Sequence, residues 1–399
     1  MPNVLNLVAW CLAIPLSAIL IYLTLELCVG LARSNAGQFR ISSAKWTGAI
    51  LVPAHNEALS IAATVMALCQ AAPQCRIVVV ADNCTDDTAD LARAAGAEAI
   101  IRQSLTDKGK GFALACGRDY LAKFPPDAVI IIDADCRLSP GSAEILISRA
   151  VQVNQPVQGV NLLVAGATAS PLASISNFAM LIKNLVRARG LERLGGGTLL
   201  FGTGMAFPWK LFATVDLATA HAVEDLQLGL SLAKQGVRVG FEDTALVTSP
   251  AASVADSRGQ RSRWEHGFLQ TAWRNGLPML LSGILRGSRH QLFIGAHMLV
   301  PPLAMLIMIS VIALSLVSIL FWVGAGAASA HPMLLLLGSL FLLTVALLAA
   351  WWKEGRKVIS GRTLLMIPFY VMWKLPIYLR FFTARQTGWN RTQRDGEQS

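Results

Sequence analysis

The stretch that decides the fold is AVIIIDAD, residues 128–135. Five apolar residues, three of them consecutive isoleucines, run without alternation into the carboxylates of Asp133 and Asp135. A short β-branched run of this kind is typical of a strand buried on both faces, as in a parallel sheet covered by helices. The two carboxylates then lie at the carboxyl end of that strand, where open α/β sheets bind their ligands. Two acids this close are costly unless a cation joins them, and Mg²⁺ or Mn²⁺ carrying a diphosphate would do so. An ordinary polar strand end is the alternative explanation of an Asp-x-Asp pair taken alone.

The surrounding residues, 46–276, alternate short apolar runs with amphipathic, Ala-rich stretches, which is the pattern of βαβ units. Strands are predicted at 49–54, 76–81 and 99–101, and a helix is predicted at 56–70. The sequence therefore predicts a Rossmann-like α/β domain over 46–276 with its central strand at AVIIIDAD.

The ends of the chain are apolar. Hydrophobic residues make up 54% of the sequence and charged residues only 15%, against about 25% charged in soluble domains. Residues 4–31 carry one charged side chain, Glu26, and exceed the roughly 20 residues needed to cross a bilayer. The sequence predicts an N-terminal transmembrane helix at 1–32 and a C-terminal membrane region at 277–383.

Within the C-terminal region, two spans are predicted at about 291–323 and 332–352. The stretch 364–382 is interrupted by Lys374 and two prolines, and an interfacial helix is favoured over a third span. That choice keeps the basic tail, 384–399, on the cytoplasmic side.

Charge sets the expected location. Basic residues, among them Arg33 and Lys45, follow the first apolar segment, and Lys353 and Arg356 follow the third. The positive-inside bias therefore predicts a multi-pass inner (plasma) membrane protein whose α/β domain faces the cytoplasm. The net charge of +10 suits anionic lipid or phosphates. Nucleic acid is not expected as a partner, because stacking aromatics are not interleaved with the basic residues.

Polar motifs follow the first two predicted strands. PAHNE, residues 53–57, ends the first strand, and Asp82 ends the second. Asp82 could accept hydrogen bonds from a base or ribose, although a helix cap is the alternative role. Lys110, in the sequence KGKG at a helix start, is predicted to bind phosphate, with a solvated turn as the alternative.

Three further motifs lie downstream. Gly204 belongs to a glycine-flanked turn that would let another molecule approach the backbone. Glu224 and Asp225 precede a helical pattern, and Asp225 at the edge of a phosphate site could serve as a general base. QRSRW, residues 260–264, offers an arginine for a diphosphate and a tryptophan for a sugar face, or alternatively a basic helix against lipid headgroups.

In this order, the motifs resemble those of the membrane-embedded family 2 glycosyltransferases, which include cellulose, chitin and hyaluronan synthases. The resemblance implies a GT-A fold, a nucleotide-sugar donor, with a UDP-sugar expected, a divalent metal and inversion at the anomeric carbon. It implies that Asp225 is the base and that Asp133 and Asp135 hold the metal. The residues that would contact donor or acceptor are Pro53, Glu57, Asp82, Asp133, Gly204, Glu224, Gln260, Arg263 and Trp264.

The resemblance leaves the acceptor open. Polymer synthases carry more spans after the catalytic domain than this sequence has, so transfer of one sugar to a lipid competes with synthesis of a surface or exopolysaccharide. Export or assembly subunits are further candidate partners in the polymer case. A transporter with a nucleotide-sensing domain is disfavoured, because the two predicted C-terminal spans contain no Asp, Glu, Lys or Arg.

Overall fold

The computed structural model describes residues 2–33, 45–164, 170–219, 223–250, 254–325 and 330–383. These residues form two compact units. The sheet unit comprises the described residues of Ser34–Thr168 and Gly196–Phe268. The helical unit comprises those of Met1–Arg33, Ala169–Gly195 and Leu269–Arg385. The segment Ala169–Gly195 thus groups with the helical unit, although it lies within the α/β domain expected at 46–276.

The sheet unit contains eight strands in one sheet. They are β1 Gly48–Ala54, β2 Cys75–Asp82, β3 Glu98–Arg102, β4 Ala128–Ile131, β5 Arg137–Leu138, β6 Val157–Val164, β7 Met205–Pro208 and β8 Gly240–Pro250. The strand order is β3-β2-β1-β4-β7-β6-β8-β5. Strands β1 to β4 are mutually parallel where they pair, and β7 is antiparallel to β4 and β6. The four strands predicted from the sequence are confirmed, and their carboxyl ends share one edge of the sheet.

Strand β4 is buried on both faces, as its unbroken apolar run predicts. Ala128 and Ile130 belong to one hydrophobic cluster and Val129 and Ile131 to another, and all four are 0% exposed. Because side chains alternate across a strand, the two clusters lie on opposite faces of the sheet, each between the sheet and its helices.

The helices of the sheet unit are α2 Ile61–Ala71, α3 Thr88–Ala94, α4 Lys110–Leu121, α5 Ser142–Val153, α8 Trp209–Phe212 and α9 Glu224–Lys234. The helix predicted at 56–70 begins later than expected, at Ile61. Asn56 adopts a left-handed backbone (φ 52°), and its side chain accepts a hydrogen bond from Thr85 N at 2.7 Å. Since that conformation does not continue a right-handed helix, the chain turns before α2 begins.

The helical unit contains α1 Pro2–Leu31, α6 Pro171–Leu181, α7 Ala188–Leu194, α11 Arg289–Met298, α12 Leu303–Leu320, α13 Ala330–Ala350, α14 Gly361–Leu364 and α15 Ile367–Thr383. A π-helical segment, Ile182–Arg187, joins α6 to α7. Helix α10, Val254–Arg286, contributes its residues up to Phe268 to the sheet unit and the remainder to the helical unit.

Three described helices are long and apolar enough to cross a membrane: Asn3–Leu31, Leu303–Val323 and Ala330–Gly355. The segment expected at 291–323 is two helices, α11 and α12, because Pro301 and Pro302 separate them. With 10 residues, α11 is about 15 Å long and cannot cross the roughly 30 Å hydrocarbon layer.

A buried ionic cluster lies inside the helical unit and is called here the Glu26 clasp: Glu26, Arg187, His297 and Tyr22. The Glu26 carboxylate is 0% exposed and accepts hydrogen bonds from Arg187 Nε at 2.5 Å and His297 Nδ1 at 2.6 Å. Tyr22 donates to Glu26 at 3.3 Å and to Phe293 O at 3.1 Å. A buried carboxylate is tolerated because these donors pair with it.

Candidate active site

Lys110 and Asp133 form the centre of the site. Asp133 follows β4, and Lys110 is the first residue of α4. The Lys110 ammonium donates a short hydrogen bond to Asp133 Oδ1 and a second one, at 2.7 Å, to the Gly202 carbonyl. Gly111 lets the start of α4 lie directly against residues 217–219, because a Cβ there would collide with the Leu217 carbonyl. The predicted phosphate-site lysine and the predicted Asp-x-Asp motif are therefore in direct contact.

Asp225 and Glu224 approach the same point from the start of α9. A Cβ built on Gly202 would lie 3.3 Å from Asp225 Oδ2 and 3.5 Å from Lys110 Nζ, so both groups face this glycine. Lys110, Glu224 and Asp225 line a cavity of about 200 Å³. Its remaining lining residues are Gly111, Leu114, Met205, Asp216, Leu217, Thr219, Gln227, Leu228 and Ser231.

The electrostatics of this cluster are dominated by burial and by crowded carboxylates. Burial, then the neighbouring Asp225 carboxylate, raises the pKa of Glu224 to about 7, against the opposing charge of Lys110. Burial also raises the pKa of Asp133, and Asp135 adds to that rise while Lys110 opposes it. Burial alone would lower the pKa of Lys110, but three neighbouring carboxylates hold it above its ordinary value. A group that can take up a proton near neutral pH thus lies beside the predicted base.

The turn formed by residues 201–204 links these side chains. Besides the Gly202 carbonyl on Lys110, Thr203 Oγ1 accepts a hydrogen bond from Asp133 N at 3.1 Å. Gly202 has φ +84°, a left-handed conformation that favours glycine. The sequence singled out this turn through Gly204, whereas the contacts with the site come from the two residues before it.

Gln158 holds the turn from inside the sheet, and sequence reasoning missed it. Its side chain is 0% exposed, and its Nε2 donates to Thr203 O at 2.8 Å. Its Oε1 accepts a hydrogen bond from Phe201 N at 2.9 Å. The one signal was a glutamine in the otherwise apolar run VQGV, residues 157–160, where a buried amide must find partners.

Asp82 lies at the end of β2 with its carboxylate paired. Arg102 Nη1 donates to Asp82 Oδ1 at 2.5 Å, and Asn83 Nδ2 donates to the same oxygen at 3.2 Å. The Asp82 side chain is 9% exposed. Arg102, which the sequence did not indicate, therefore fixes the carboxylate predicted to contact the nucleoside.

Pro53 and Glu57 lie around the end of β1, at the same edge of the sheet. Pro53 is half-buried in the strand. Glu57 Oε2 accepts a hydrogen bond from Ser60 Oγ at 2.7 Å, and Glu57 N donates to Thr88 Oγ1 at 2.8 Å. Gly204 is buried directly before β7, where its N–H donates to Ile131 O at 2.8 Å. The structure thus gives Glu57 and Gly204 roles within the fold.

The QRSRW motif lies on the first part of α10. The side chain of Gln260 is outside the described residues. Arg263 and Trp264 are half-buried. Burial lowers the pKa of Arg263, and the charge of Glu224 opposes that change, so the two side chains interact electrostatically. A Cβ on Gly267 would lie 2.6 Å from Val223, the residue before Glu224, so α10 passes directly beside the start of α9.

A metal would find two carboxylates here. No group of three His, Cys, Asp or Glu side chains in the described part of the chain could hold an ion alone. Asp133 and Asp135 nevertheless provide the hard oxygen donors of Mg²⁺ or Mn²⁺, whose remaining ligands are often substrate phosphates and water. Lys110 bonds to one Asp133 oxygen, Oδ1. The donor set therefore fits an ion that arrives with a diphosphate.

A solved structure shares this fold. A mannosyltransferase from Pyrobaculum calidifontis, solved with GDP-Man and Mn²⁺, matches at TM-score 0.55 and 14% identity, over 96% of this chain and 100% of that one. Glucosyl-3-phosphoglycerate synthase from Mycobacterium tuberculosis, solved with Mn²⁺, UDP-glucose and phosphoglyceric acid, matches at TM-score 0.37 and 19% identity, over 59% and 84% of the two chains. The comparison with curated proteins found no match.

The family model described as "Glycosyltransferase like family 2" matches residues 48–267, more than half of the 399-residue chain. The matched range contains the whole sheet and the carboxylate cluster described above. The predicted GT-A-like α/β fold, with flanking apolar helices, is confirmed. The chain belongs to the glycosyltransferase like family 2, and it is a glycosyltransferase.

Proposed function

We propose that this chain is an inverting, membrane-bound enzyme that transfers a sugar from a nucleotide-sugar donor, with a UDP-sugar expected, to a membrane-associated glycan acceptor. The product would be a cell-surface polysaccharide or exopolysaccharide. The observation that carries the proposal is that Lys110, Glu224 and Asp225 line one cavity while Lys110 contacts Asp133. A cation and several carboxylates at one point suit a diphosphate leaving group and an adjacent base.

Asp225 is the base in this proposal. It takes the proton of the acceptor hydroxyl as that oxygen attacks the anomeric carbon from the face opposite the diphosphate. The bond between the anomeric carbon and the diphosphate oxygen breaks, and its electron pair leaves with the diphosphate. The configuration at the anomeric carbon is inverted, and no covalent enzyme intermediate forms.

Lys110 and Arg263 supply fixed positive charge for the departing diphosphate. Contacts with Asp133 and the Gly202 carbonyl hold Lys110 in place. When bound by Asp133 and Asp135, Mg²⁺ or Mn²⁺ would neutralise further charge on the leaving group. In this proposal the nucleoside contacts Pro53, Glu57 and Asp82. The acceptor contacts Gly204, Glu224, Gln260 and Trp264.

The three candidate spans support a membrane location. By the positive-inside bias, Arg33 after the first span and Lys353, Arg356 and Lys357 at the end of the third would be cytoplasmic. The sheet unit, which lies between the first and second spans in sequence, would then face the cytoplasm as well. Helix α15 is proposed to lie at the membrane interface, because Lys374 and Pro376 interrupt its apolar sequence.

Transfer of a single sugar to a lipid, such as a polyprenyl phosphate or a hopanoid-like or ceramide-like lipid, is the second candidate. It is favoured by the count of three candidate spans among the described residues, two of them after the sheet unit. In the polymer case, export or assembly subunits would have to supply the channel.

The first experiment incubates purified protein in detergent with a panel of UDP- and GDP-sugars and Mg²⁺ or Mn²⁺, and measures released nucleoside diphosphate. We expect metal-dependent release with one donor. Asp225→Asn should lower turnover at least about 100-fold and leave the donor Kd within about threefold, because a base acts mainly in the transition state. Asp119→Asn, at an exposed carboxylate on α4, is the matched control and should turn over normally.

Normal turnover by Asp225→Asn would remove Asp225 from the role of base. A wild-type protein that binds none of the donors would contradict the proposed function itself. Product length then separates the two acceptors: a ladder indicates a polymer, and one lipid-soluble species indicates lipid glycosylation.

A further inference from the structure

We infer that Gln158 is a positioning residue of the transfer reaction: through the turn at residues 201–204, it sets where Lys110, Asp133 and Asp225 stand relative to one another. This inference rests on the proposed function, because it names a residue that serves the same site from outside the cavity. Gln158 lies on β6, and it is not among the residues that line the cavity.

Gln158 bonds to both ends of the turn. Its Oε1 accepts from Phe201 N at 2.9 Å, where the turn begins. Its Nε2 lies 2.8 Å from Thr203 O and 3.3 Å from Gly204 O, where the turn ends, and 2.9 Å from Gly159 O. The two N–H bonds of one amide are thus shared among three carbonyls, so the side chain has no donor or acceptor group left unused.

The middle residues of the turn, Gly202 and Thr203, contact the reacting groups. Gly202 O accepts from Lys110 Nζ at 2.7 Å, and Thr203 Oγ1 accepts from Asp133 N at 3.1 Å. Gly202 also lies against the Asp225 carboxylate, 3.3 Å from where a Cβ would be. One four-residue turn therefore contacts the phosphate-site cation, the backbone N–H of the first metal-site residue and the base.

Two of the four residues of the turn are glycines. Gly202 and Gly204 both have positive φ values, +84° and +69°, and glycine is the least restricted residue of the backbone. Ladder hydrogen bonds anchor the end of the turn, where Gly204 N donates to Ile131 O at 2.8 Å and Gly204 O accepts from Gly159 N at 2.9 Å. At the start of the turn, the buried amide supplies the bond to Phe201 N.

A buried amide with this many partners has a chemical reason to be glutamine. Methionine would fill a similar volume but leave the Phe201 N–H and the Thr203 carbonyl without their partner, which favours rearrangement of the turn. Glutamate would keep an acceptor for Phe201 N but place a carboxylate against the carbonyls that now accept hydrogen bonds. Displacement of the turn by about 1 Å is enough to lower a rate by about 100-fold when reacting groups must be aligned.

The test compares Gln158→Met with Val157→Ala. Val157 is the preceding residue on β6, is equally buried, and contributes packing but no side-chain hydrogen bond. Thermal unfolding midpoint, donor Kd and kcat are measured for wild type and both variants. We expect Gln158→Met to lower kcat about 10- to 100-fold with donor Kd changed less than about threefold.

Val157→Ala should lower the unfolding midpoint while kcat and donor Kd stay within about twofold of their wild-type values. If Gln158→Met folds and keeps its kcat, or if Val157→Ala at a matched loss of stability lowers kcat as much, Gln158 is only a structural residue. If Gln158→Met does not fold, Gln158→Glu replaces it under the same criteria. A wild-type protein that releases no nucleoside diphosphate overturns the proposed function, whereas an active wild type with a fully active Gln158→Met overturns only this inference.

Discussion

Among single residues, Glu224 and Glu98 have side-chain pKa values that folding shifts in opposite directions. Burial and the adjacent Asp225 raise the pKa of Glu224 to about 7. Glu98 lies on β3 and accepts two hydrogen bonds at 2.9 Å from Arg76. That hydrogen bonding lowers the pKa of Glu98. The two carboxylates therefore make opposite contributions to the pH dependence of stability.

Glu224→Gln should stabilise the protein at high pH. Because the folded-state pKa of Glu224 is raised, its favourable contribution is complete below about pH 4.5, the unfolded value, and is lost as pH rises through about 7. The glutamine variant removes that loss and should gain about 3 kcal/mol over wild type at pH 8, and almost nothing at pH 4.5. Thermal unfolding of both proteins in detergent across this range measures the difference.

Glu98→Gln is the control with the opposite sign. The folded-state pKa of Glu98 is lowered, so its contribution is present above the unfolded value of about 4.5 and is lost as pH falls below it. The variant should be less stable than wild type at pH 8 and approach it in acid. A Glu224→Gln advantage that stays constant from pH 4.5 to 8 would contradict the environment described for Glu224.

The sequence identified the reacting residues better than it identified what holds them. Asp133, Glu224, Asp225 and Lys110 carry charge near strand and helix ends, where residue type alone indicates a site. Gln158 reaches the 201–204 turn from a strand more than 40 residues earlier in sequence, and periodicity contains no information on such a pairing. Arg102 was missed for the same reason, because its partner Asp82 lies on a neighbouring strand.

Among the elements, the link between α1 and the segment Ala169–Gly195 was the least predictable. Glu26 is visible as a lone charge in an apolar helix, but its partner Arg187 is 161 residues away. Helices α1 and α7 also pack closely, since a Cβ on Gly190 would collide with the Glu26 carbonyl. The βαβ pattern did not indicate that residues 169–195 group with the helical unit. An apolar helix has the same sequence periodicity whether it covers a sheet or packs among other helices.

The Glu26 clasp predicts strong, non-additive effects on stability. Glu26→Gln alone leaves Arg187 buried without a carboxylate, and we expect a loss of about 3–5 kcal/mol. Glu26→Leu combined with Arg187→Met should cost less than the sum of the two single changes, because no unpaired charge remains. Thermal unfolding or limited proteolysis in detergent measures each variant.

The matched control is an exposed pair of similar geometry. Arg93 and Asp90 on α3 approach to 2.6 Å, with the Asp90 side chain 80% exposed. Asp90→Asn should change stability by less than about 1 kcal/mol. Additive losses at Glu26 and Arg187, no larger than that of Asp90→Asn, would show that the buried pair is unimportant to the helical unit.

For the whole molecule, the proposed topology gives a direct test in cells. If Arg33 and the basic residues at 353–357 are cytoplasmic, the sheet unit is also cytoplasmic. Protease added to intact spheroplasts should then leave the sheet unit uncut, and protease added to inverted membrane vesicles should degrade it. Cleavage of the sheet unit in spheroplasts with the opposite result in vesicles would reverse the proposed orientation, and release by alkaline carbonate would argue against the spans.

The distance in sequence between Glu26 and its partners has a consequence for synthesis. The ribosome delivers Arg187 161 residues after Glu26, and His297 271 residues after it. At roughly 5–20 residues per second, Glu26 waits about 8–30 s for Arg187. During that interval its one clasp partner already synthesised is Tyr22, one turn earlier on the same helix. A fragment of residues 46–276 would have the converse problem. It contains Arg187 and the apolar helices on either side of it, but it lacks α1, the helix that carries Glu26.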